Sequence, residues 1–244
     1  MTHASDSGKR YGLARVLSKM GLASRAEATR QIRAGLVRIN GKIIRDPEHP
    51  VCMGVDRVET GEGRAESRPF MALMLNKPRG LVTTRSDERQ RATVYDCLPA
   101  DMPWLSPVGR LDKASEGLLL FCNDPVWAAG ITNPDTGPDK TYHVQIDCIP
   151  DDELLQRLRT GIETDAGFLS AKRIDLLRHG EKHAWLEIVL DEGRNRQIRR
   201  LLEGFGIGVL RLIRTAIGGL PLGDLPKGQW RPLTVAELAL LNHA

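Results

Sequence analysis

Asn40-Gly41, set between the short runs Val37-Arg38-Ile39 and Lys42-Ile43-Ile44, leaves the chain little choice of path. Both central positions of a tight hairpin turn of this kind need positive φ, which Asn and Gly accept most readily, so a β-hairpin is predicted there. Two amphipathic helices precede it. Leu13, Val16, Leu17 and Met20 recur at helical spacing and stop at Gly21, whose missing Cβ suits a left-handed helix end. Ser24-Arg25-Ala26-Glu27 has the pattern of a capping box. In it Ser24 accepts from the Glu27 amide while the Glu27 carboxylate accepts from the Ser24 amide. The second helix runs to about Ala34 and stops at Gly35. The predicted order is helix, helix, hairpin.

Charge sets this segment apart. From Lys9 to Arg45 there are ten Lys and Arg residues against Glu27 alone. With +4 overall and +9 in this stretch, the remainder of the chain carries −5. Such unbalanced cations repel one another unless a polyanion is the partner, so the first part is expected to meet one while the larger, slightly acidic part does something else.

Read from Ser18 to Val51, SKMGLASRAEATRQIRAGLVRINGKIIRDPEHPV resembles the small RNA-binding module named after ribosomal small-subunit protein four. The match covers about residues 10 to 58 and includes Gly21, Ser24-Arg25, Ala28, Ile32, Gly35, Val37 and Asn40-Gly41. The resemblance implies RNA contacts from the second helix and the hairpin. Arg25, Arg30, Arg33, Arg38 and Lys42 are the candidates, positioning the protein through phosphates and shape rather than reading bases.

Residues 1–8 are small and polar and are expected to be a disordered tail, with the RNA-binding module at 9–58. Residues 59–69, Gly- and charge-rich without apolar period, read as a linker to a second domain at 70–244. In that domain Phe70 to Leu75, Leu118 to Cys122, Thr141 to Asp147, Ala184 to Leu190 and Val209 to Ile213 are strand candidates. Helical patterns occur at about Asp151 to Thr160 and Asn195 to Glu203. Without regular strand-helix alternation, the predicted class is α+β, with a mixed, mainly antiparallel sheet flanked by helices. No run of about 18 uncharged apolar residues occurs, and the opening MTHASDSGKR lacks the apolar stretch of a signal peptide, so a cytoplasmic protein is expected. Cys52, Cys97, Cys122 and Cys148 form no CxxC pair and read as buried thiols.

Familiar catalytic motifs are missing: there is no G-x-S-x-G, no P-loop and no H-E-x-x-H. His179 and His183 are four apart, but Gly180 between them argues against the helix a zinc site would need, and no metal is expected. Gly204, Gly206 and Gly208 follow a helix and read as its stop and the start of a strand. Two segments stand out. Pro107 to Leu120 is a charged loop bounded by Gly109 and Gly117 that runs into an apolar strand, with Asp112 in its middle. Glu192 to Arg200 is a cationic helix start pinned by Ile198, Leu201 and Leu202.

Together with Asn76-Lys77-Pro78-Arg79-Gly80 and Lys140-Thr141-Tyr142-His143-Val144, these segments resemble bacterial ribosomal-RNA pseudouridine synthases of the RsuA/RluB type. The resemblance spans nearly the whole chain. It implies isomerisation of specific uridines in ribosomal RNA without metal or other cofactor, by a monomer acting on ribosomal RNA or a ribosome assembly intermediate, away from membranes. By motif position it implies three catalytic residues: Asp112 of GRLD as the carboxylate, Tyr142 of K-x-Y, and Arg199 of Q-[IV]-[RK]. Arg110 matches the residue that holds the flipped nucleotide, and Lys77, Arg194 and Arg196 are further substrate-binding candidates. Asp112 could attack C1′, attack C6 of the base, or abstract a sugar proton. Pro125 and Asn133 depart from the family's more usual residues. Two other classes remain beside the enzyme: a non-catalytic assembly factor on the same fold, and a DNA-binding regulator.

Overall fold

The computed structural model describes residues 10–53, 55–61, 63–64, 69–85, 87–164 and 167–241; the expected disordered tail at 1–8 lies outside them. The chain divides into two compact units. One takes in the chain up to Ala72 with Met102–Ser106 and Cys122–Trp127, and the other takes in Leu73–Asp101, Pro107–Phe121 and Ala128–Ala244.

In the first unit β1 (Arg10–Gly12) leads into α1 (Leu13–Lys19) and α2 (Arg25–Arg33), followed by β2 (Arg38–Ile39), β3 (Lys42–Ile43), β4 (Pro50–Cys52), β5 (Val58–Thr60) and β6 (Gly63–Arg64). Strands β3, β2, β5 and β6 form a sheet in that order, and β1 pairs antiparallel with β4. The hairpin is the predicted one: Asn40 (φ 51°) and Gly41 (φ 80°) turn β2 into β3. Asn40 also accepts from the Arg57 amide (2.8 Å) and donates to Asp56 (2.9 Å), which ties the turn to the next strand. Leu13, Leu17 and Ile32 are fully buried with Val37, Val51 and Val58, the large side chains contributing ~1.5–3 kcal/mol each.

Two local expectations change. The capping box is half formed: the Ser24 hydroxyl accepts from the Glu27 amide (3.1 Å), but the Glu27 carboxylate accepts from Arg30 and Gln31. A guanidinium one turn along is a stronger donor than a neutral amide. The stretch read as a linker from residue 59 begins as strand, because β5 pairs with Arg38 and Ile39 and buries Val58. One buried residue in a short polar strand leaves no period to read.

The second unit is built on a sheet with the order β13-β14-β10-β15-β9-β7-β17. Its chain elements are β7 (Ala72–Lys77), β8 (Ser106–Val108), β9 (Glu116–Cys122), α3 (Pro125–Thr132), β10 (Lys140–Ile146), α4 (Asp152–Thr160), β11 (Ile162–Thr164), β12 (Gly167–Leu169), β13 (Arg173–His179) and β14 (Ala184–Leu190). After these come α5 (Gln197–Gly204), β15 (Val209–Ile217), β16 (Leu220–Pro221), β17 (Trp230–Pro232) and α6 (Val235–Leu241). Strand β10 lies between β14 and β15, antiparallel to both, whereas β15 runs parallel to β9. The class is α+β with a mixed sheet. Val144, Leu186, Ile188 and Leu212 of the sheet pack with Leu155 and Leu158 of α4 and with Ile198, Leu201 and Leu202 of α5. One glycine is required by close approach: at Gly117 (φ 100°) a Cβ would stand 2.3 Å from the Arg214 carbonyl oxygen, so only glycine lets β9 run beside β15 here.

Pro125 opens α3 at a position where its missing N–H costs nothing, and the Asp124 carboxylate accepts from the Val126 amide (2.7 Å). His179 and His183 flank a turn closed by the Gly180 amide and the His183 carbonyl (2.9 Å), so they belong to a hairpin and not to a helix. Of the cysteines only Cys122 is buried; Cys52, Cys97 and Cys148 are part-exposed.

Candidate active site

The loop between β8 and β9 carries Asp112, and its shape is imposed from behind. Lys77, the last residue of β7, is fully buried. Its ammonium donates to the carbonyls of Ser115 (2.8 Å), Pro78 (3.0 Å) and Asp112 itself (3.2 Å). The Thr83 hydroxyl donates to the Leu111 carbonyl (2.7 Å) and accepts from the Leu111 amide (3.3 Å), while the Gly80 amide donates to the Lys113 carbonyl (2.8 Å). Burial pulls the Lys77 ammonium down to about 8, against the opposing charges of Glu116 and Asp112. This corrects the expectation that Lys77 meets substrate. Its three donors are spent on carbonyls beneath the loop, so it holds Asp112 in place from inside the fold.

In front of the loop is a pocket of about 290 Å³ within the second unit. Arg110 and Asp112 reach it from the loop, Tyr142 from β10, Arg194 and Arg196 from the turn into α5, and Arg199 from the first turn of α5 itself. Three separate stretches of sequence thus meet on one cavity. Arg196 caps α5 in the left-handed region (φ 51°, ψ 31°), an uncommon conformation for a long side chain. Its guanidinium stands 3.5 Å from the Asp112 carboxylate. The direct ion partner of Asp112 is therefore Arg196.

Arg199 is half-buried. Its Nη1 donates to the Val209 carbonyl (3.4 Å), and its Nε is buried without a hydrogen-bond partner. Burial lowers its pKa, the cations Arg196 and Arg79 lower it further, and the Asp112 carboxylate opposes them. Arg194 is drawn into the scaffold, donating to Glu192 (2.8 Å) and to the Phe168 carbonyl (2.9 Å). Gln197, buried, donates to Glu192 (2.6 Å) and to the Ser170 carbonyl (2.9 Å), which anchors the start of α5.

Two cations on the pocket wall had been given no role: Lys140, the first residue of the K-x-Y motif, and Arg214. Lys140 lies two residues before Tyr142, and the strand period puts the two on the same face of β10. Arg214 is the cross-strand partner of Tyr142 on β15, a relation that exists only once the strands are paired. Burial lowers the Lys140 pKa and Arg214 adds to the effect, while Asp139 and Asp191 act against it.

In the first unit Arg25, Arg30, Arg33, Arg38 and Lys42 are all exposed. Arg30 is ion-paired to Glu27. The other four make no ion pair among the described residues, which leaves their charge available to an outside anion.

Comparison with known proteins follows this division. The RNA pseudouridylate synthase family matches residues 72–204, and the S4 domain matches residues 12–56. The chain is similar to a ribosomal large subunit pseudouridine synthase B of Haemophilus influenzae, 35% identical over all of this chain and 71% of that protein. It is likewise similar to a protein of the same name from Bacillus subtilis, 34% identical over 95% of this chain and 97% of the other. A crystal structure of a pseudouridylate synthase superposes with a TM-score of 0.67 at 27% identity, covering 95% of this chain and 99% of that one.

Proposed function

The chain belongs to the RNA pseudouridylate synthase family and carries an S4 domain, and from that premise we propose that it isomerises specific uridines of ribosomal RNA with Asp112 as the catalytic carboxylate and without a cofactor. The observation that carries this reading is the convergence of Asp112, Tyr142 and Arg199 on one pocket, with Arg110 at its edge. The names of the large-subunit relatives support ribosomal RNA as the substrate.

The reaction breaks the N1–C1′ bond, joins C1′ to C5 of the same uracil, releases the C5 hydrogen as a proton and returns a proton to N1. Its first demand is a carboxylate at the sugar-base junction, acting on C1′, on C6 or on a sugar proton. Asp112 meets it, with its loop fixed by Lys77 and Thr83 and its charge balanced by Arg196 at 3.5 Å. Arg199, within electrostatic range, adds to that balance. Tyr142 offers a ring for the uracil to stack on and a hydroxyl near the departing proton. A target inside a helix must flip out to reach the pocket, and Arg110, exposed on the loop, can fill the gap it leaves. Arg25, Arg33, Arg38 and Lys42 of the S4 domain anchor the RNA through phosphates.

The test is conversion of uridine in ribosomal RNA by the purified protein after dialysis against a chelator, with the RNA's own magnesium restored as a control. Asp112→Asn keeps the shape and removes the carboxylate, so turnover should vanish while RNA affinity stays intact. An active Asp112→Asn would overturn the assignment, and loss of wild-type activity that only a metal restores would overturn the cofactor-free reading.

A further inference from the structure

Among the described residues three buried side-chain nitrogens lack a hydrogen-bond partner, on Arg199, Arg200 and Arg214. Arg199 and Arg214 line the pocket. Arg199 lies within electrostatic reach of Asp112, but Arg214 has no such occupation. Its residue is 5% exposed, its Nε donates to the Leu118 carbonyl (2.7 Å), and its Nη2 is the unpartnered atom. No carboxylate forms an ion pair with it among the described residues. Glu116, on the neighbouring strand, is taken by Arg211 (3.1 Å) and Lys227 (2.5 Å). Leaving a buried donor unsatisfied costs ~1–3 kcal/mol, and more when the group is charged. A guanidinium kept in that condition on the wall of an active site points to a partner that arrives with the substrate.

We propose that Arg214, together with Lys140 on the same pocket, binds the uracil carbonyl oxygen on which negative charge gathers during isomerisation. The inference rests on the functional reading above and does not depend on which route Asp112 takes. If the carboxylate displaces the base from C1′, or abstracts a sugar proton, the N1–C1′ electron pair stays on N1 and spreads to O2 and, through C6 and C5, to O4. If it adds to C6, the electrons of the C5–C6 double bond move through C4 to O4. All three routes charge O4. A cation already desolvated and held by its Nε–Leu118 bond needs no reorganisation to meet that oxygen, which is the condition under which electrostatic stabilisation is strongest. The Lys140 ammonium, half-buried and with no hydrogen bond among the described residues, adds a second positive charge on the same pocket, within electrostatic reach of Arg214.

The experiment compares wild type with Arg214→Met, Arg214→Lys and Lys140→Met, at saturating RNA and single turnover, with either uridine or 5-fluorouridine at the target. Fluorine stabilises negative charge in the ring, so a substrate carrying it leans less on the protein's cations. Arg214→Met should slow uridine consumption by about 10²-fold, the usual effect of losing one such donor, with RNA affinity unchanged. Arg214→Lys should recover part of the rate, Lys140→Met should lose a smaller factor, and every loss should shrink on 5-fluorouridine RNA. Equal losses on the two RNAs would mean a merely structural role. Loss of affinity and of salt dependence at an intact rate would mean a phosphate contact. Either overturns the proposal, as do wild-type rates in folded Arg214→Met. Should Arg214→Met fail to fold, Lys140→Met decides, since removing its ammonium breaks no bond of the scaffold. A wild type that leaves uridine untouched would overturn the functional reading itself, a result distinct from a variant that matches an active wild type.

Discussion

Replacing Lys77 by Met keeps the unbranched stem of the side chain and deletes its charge. Three buried or part-buried carbonyls, those of Pro78, Asp112 and Ser115, then lose their donor. Each unsatisfied carbonyl costs ~1–3 kcal/mol, but Met also removes the desolvation of a buried ammonium and the loop can relax toward water, so a net loss of ~3 kcal/mol is expected. For a chain of this length each kcal/mol lowers Tm by about 2–4 °C, so the transition of the second unit should fall by roughly 6–12 °C. The displaced loop carries Asp112, and a shift of ~1 Å at a reacting group costs ~10²-fold in rate. Calorimetry and single-turnover conversion of ribosomal RNA read the two effects. If Lys77 acted on the RNA instead, Lys77→Met would keep its Tm and lower the slope of log affinity against log salt by about 0.7–0.9. That result would refute the anchoring role.

Three further outcomes follow from the same geometry. Lys77 gives up its proton near 8 in the folded chain and near its ordinary 10.5 when unfolded, so between those values the unfolded state binds more protons and stability rises with pH. Urea titrations at several pH values should show wild type gaining on Lys77→Met across that window, and a shrinking difference would contradict the burial of the ammonium. Arg199→Lys should keep more activity than Arg199→Ala, because a cation remains near Asp112 although the planar fork is lost; equal rates for Ala and wild type would remove Arg199 from the site. Changing Arg25, Arg33, Arg38 and Lys42 together to Gln should weaken RNA binding and flatten its salt dependence by about 0.7–0.9 for each phosphate no longer neutralised, with the rate at saturating RNA unaltered. An unchanged salt slope would take the anchoring role away from these four residues.

Local rules written in the chain were enough for much of the architecture. Asn40-Gly41 dictates the hairpin because few other dipeptides accept two positive φ values, and the spacing of Ile198, Leu201 and Leu202 places one face of α5 in the core. The charged loop around Asp112 and the cationic start of α5 were likewise visible, since polar density beside apolar runs is a property of neighbours in sequence. Contacts between distant residues were decided elsewhere. Lys77 reads as a substrate-binding candidate until β7 carries it beneath the loop, where three carbonyls claim its protons. Glu116 and Gly117 read as loop until β9 takes them beside β15, and Val58 reads as the end of a module until β5 pairs with β2. The choice of Arg196 over Arg199 as the partner of Asp112 turns on a single left-handed residue at the head of α5. Arg214 became part of the pocket only because strand pairing sets it opposite Tyr142. Periodicity and turn chemistry act over a few residues and can be read one by one, whereas the ion partner of a buried charge depends on distances between strands that only the packed sheet determines.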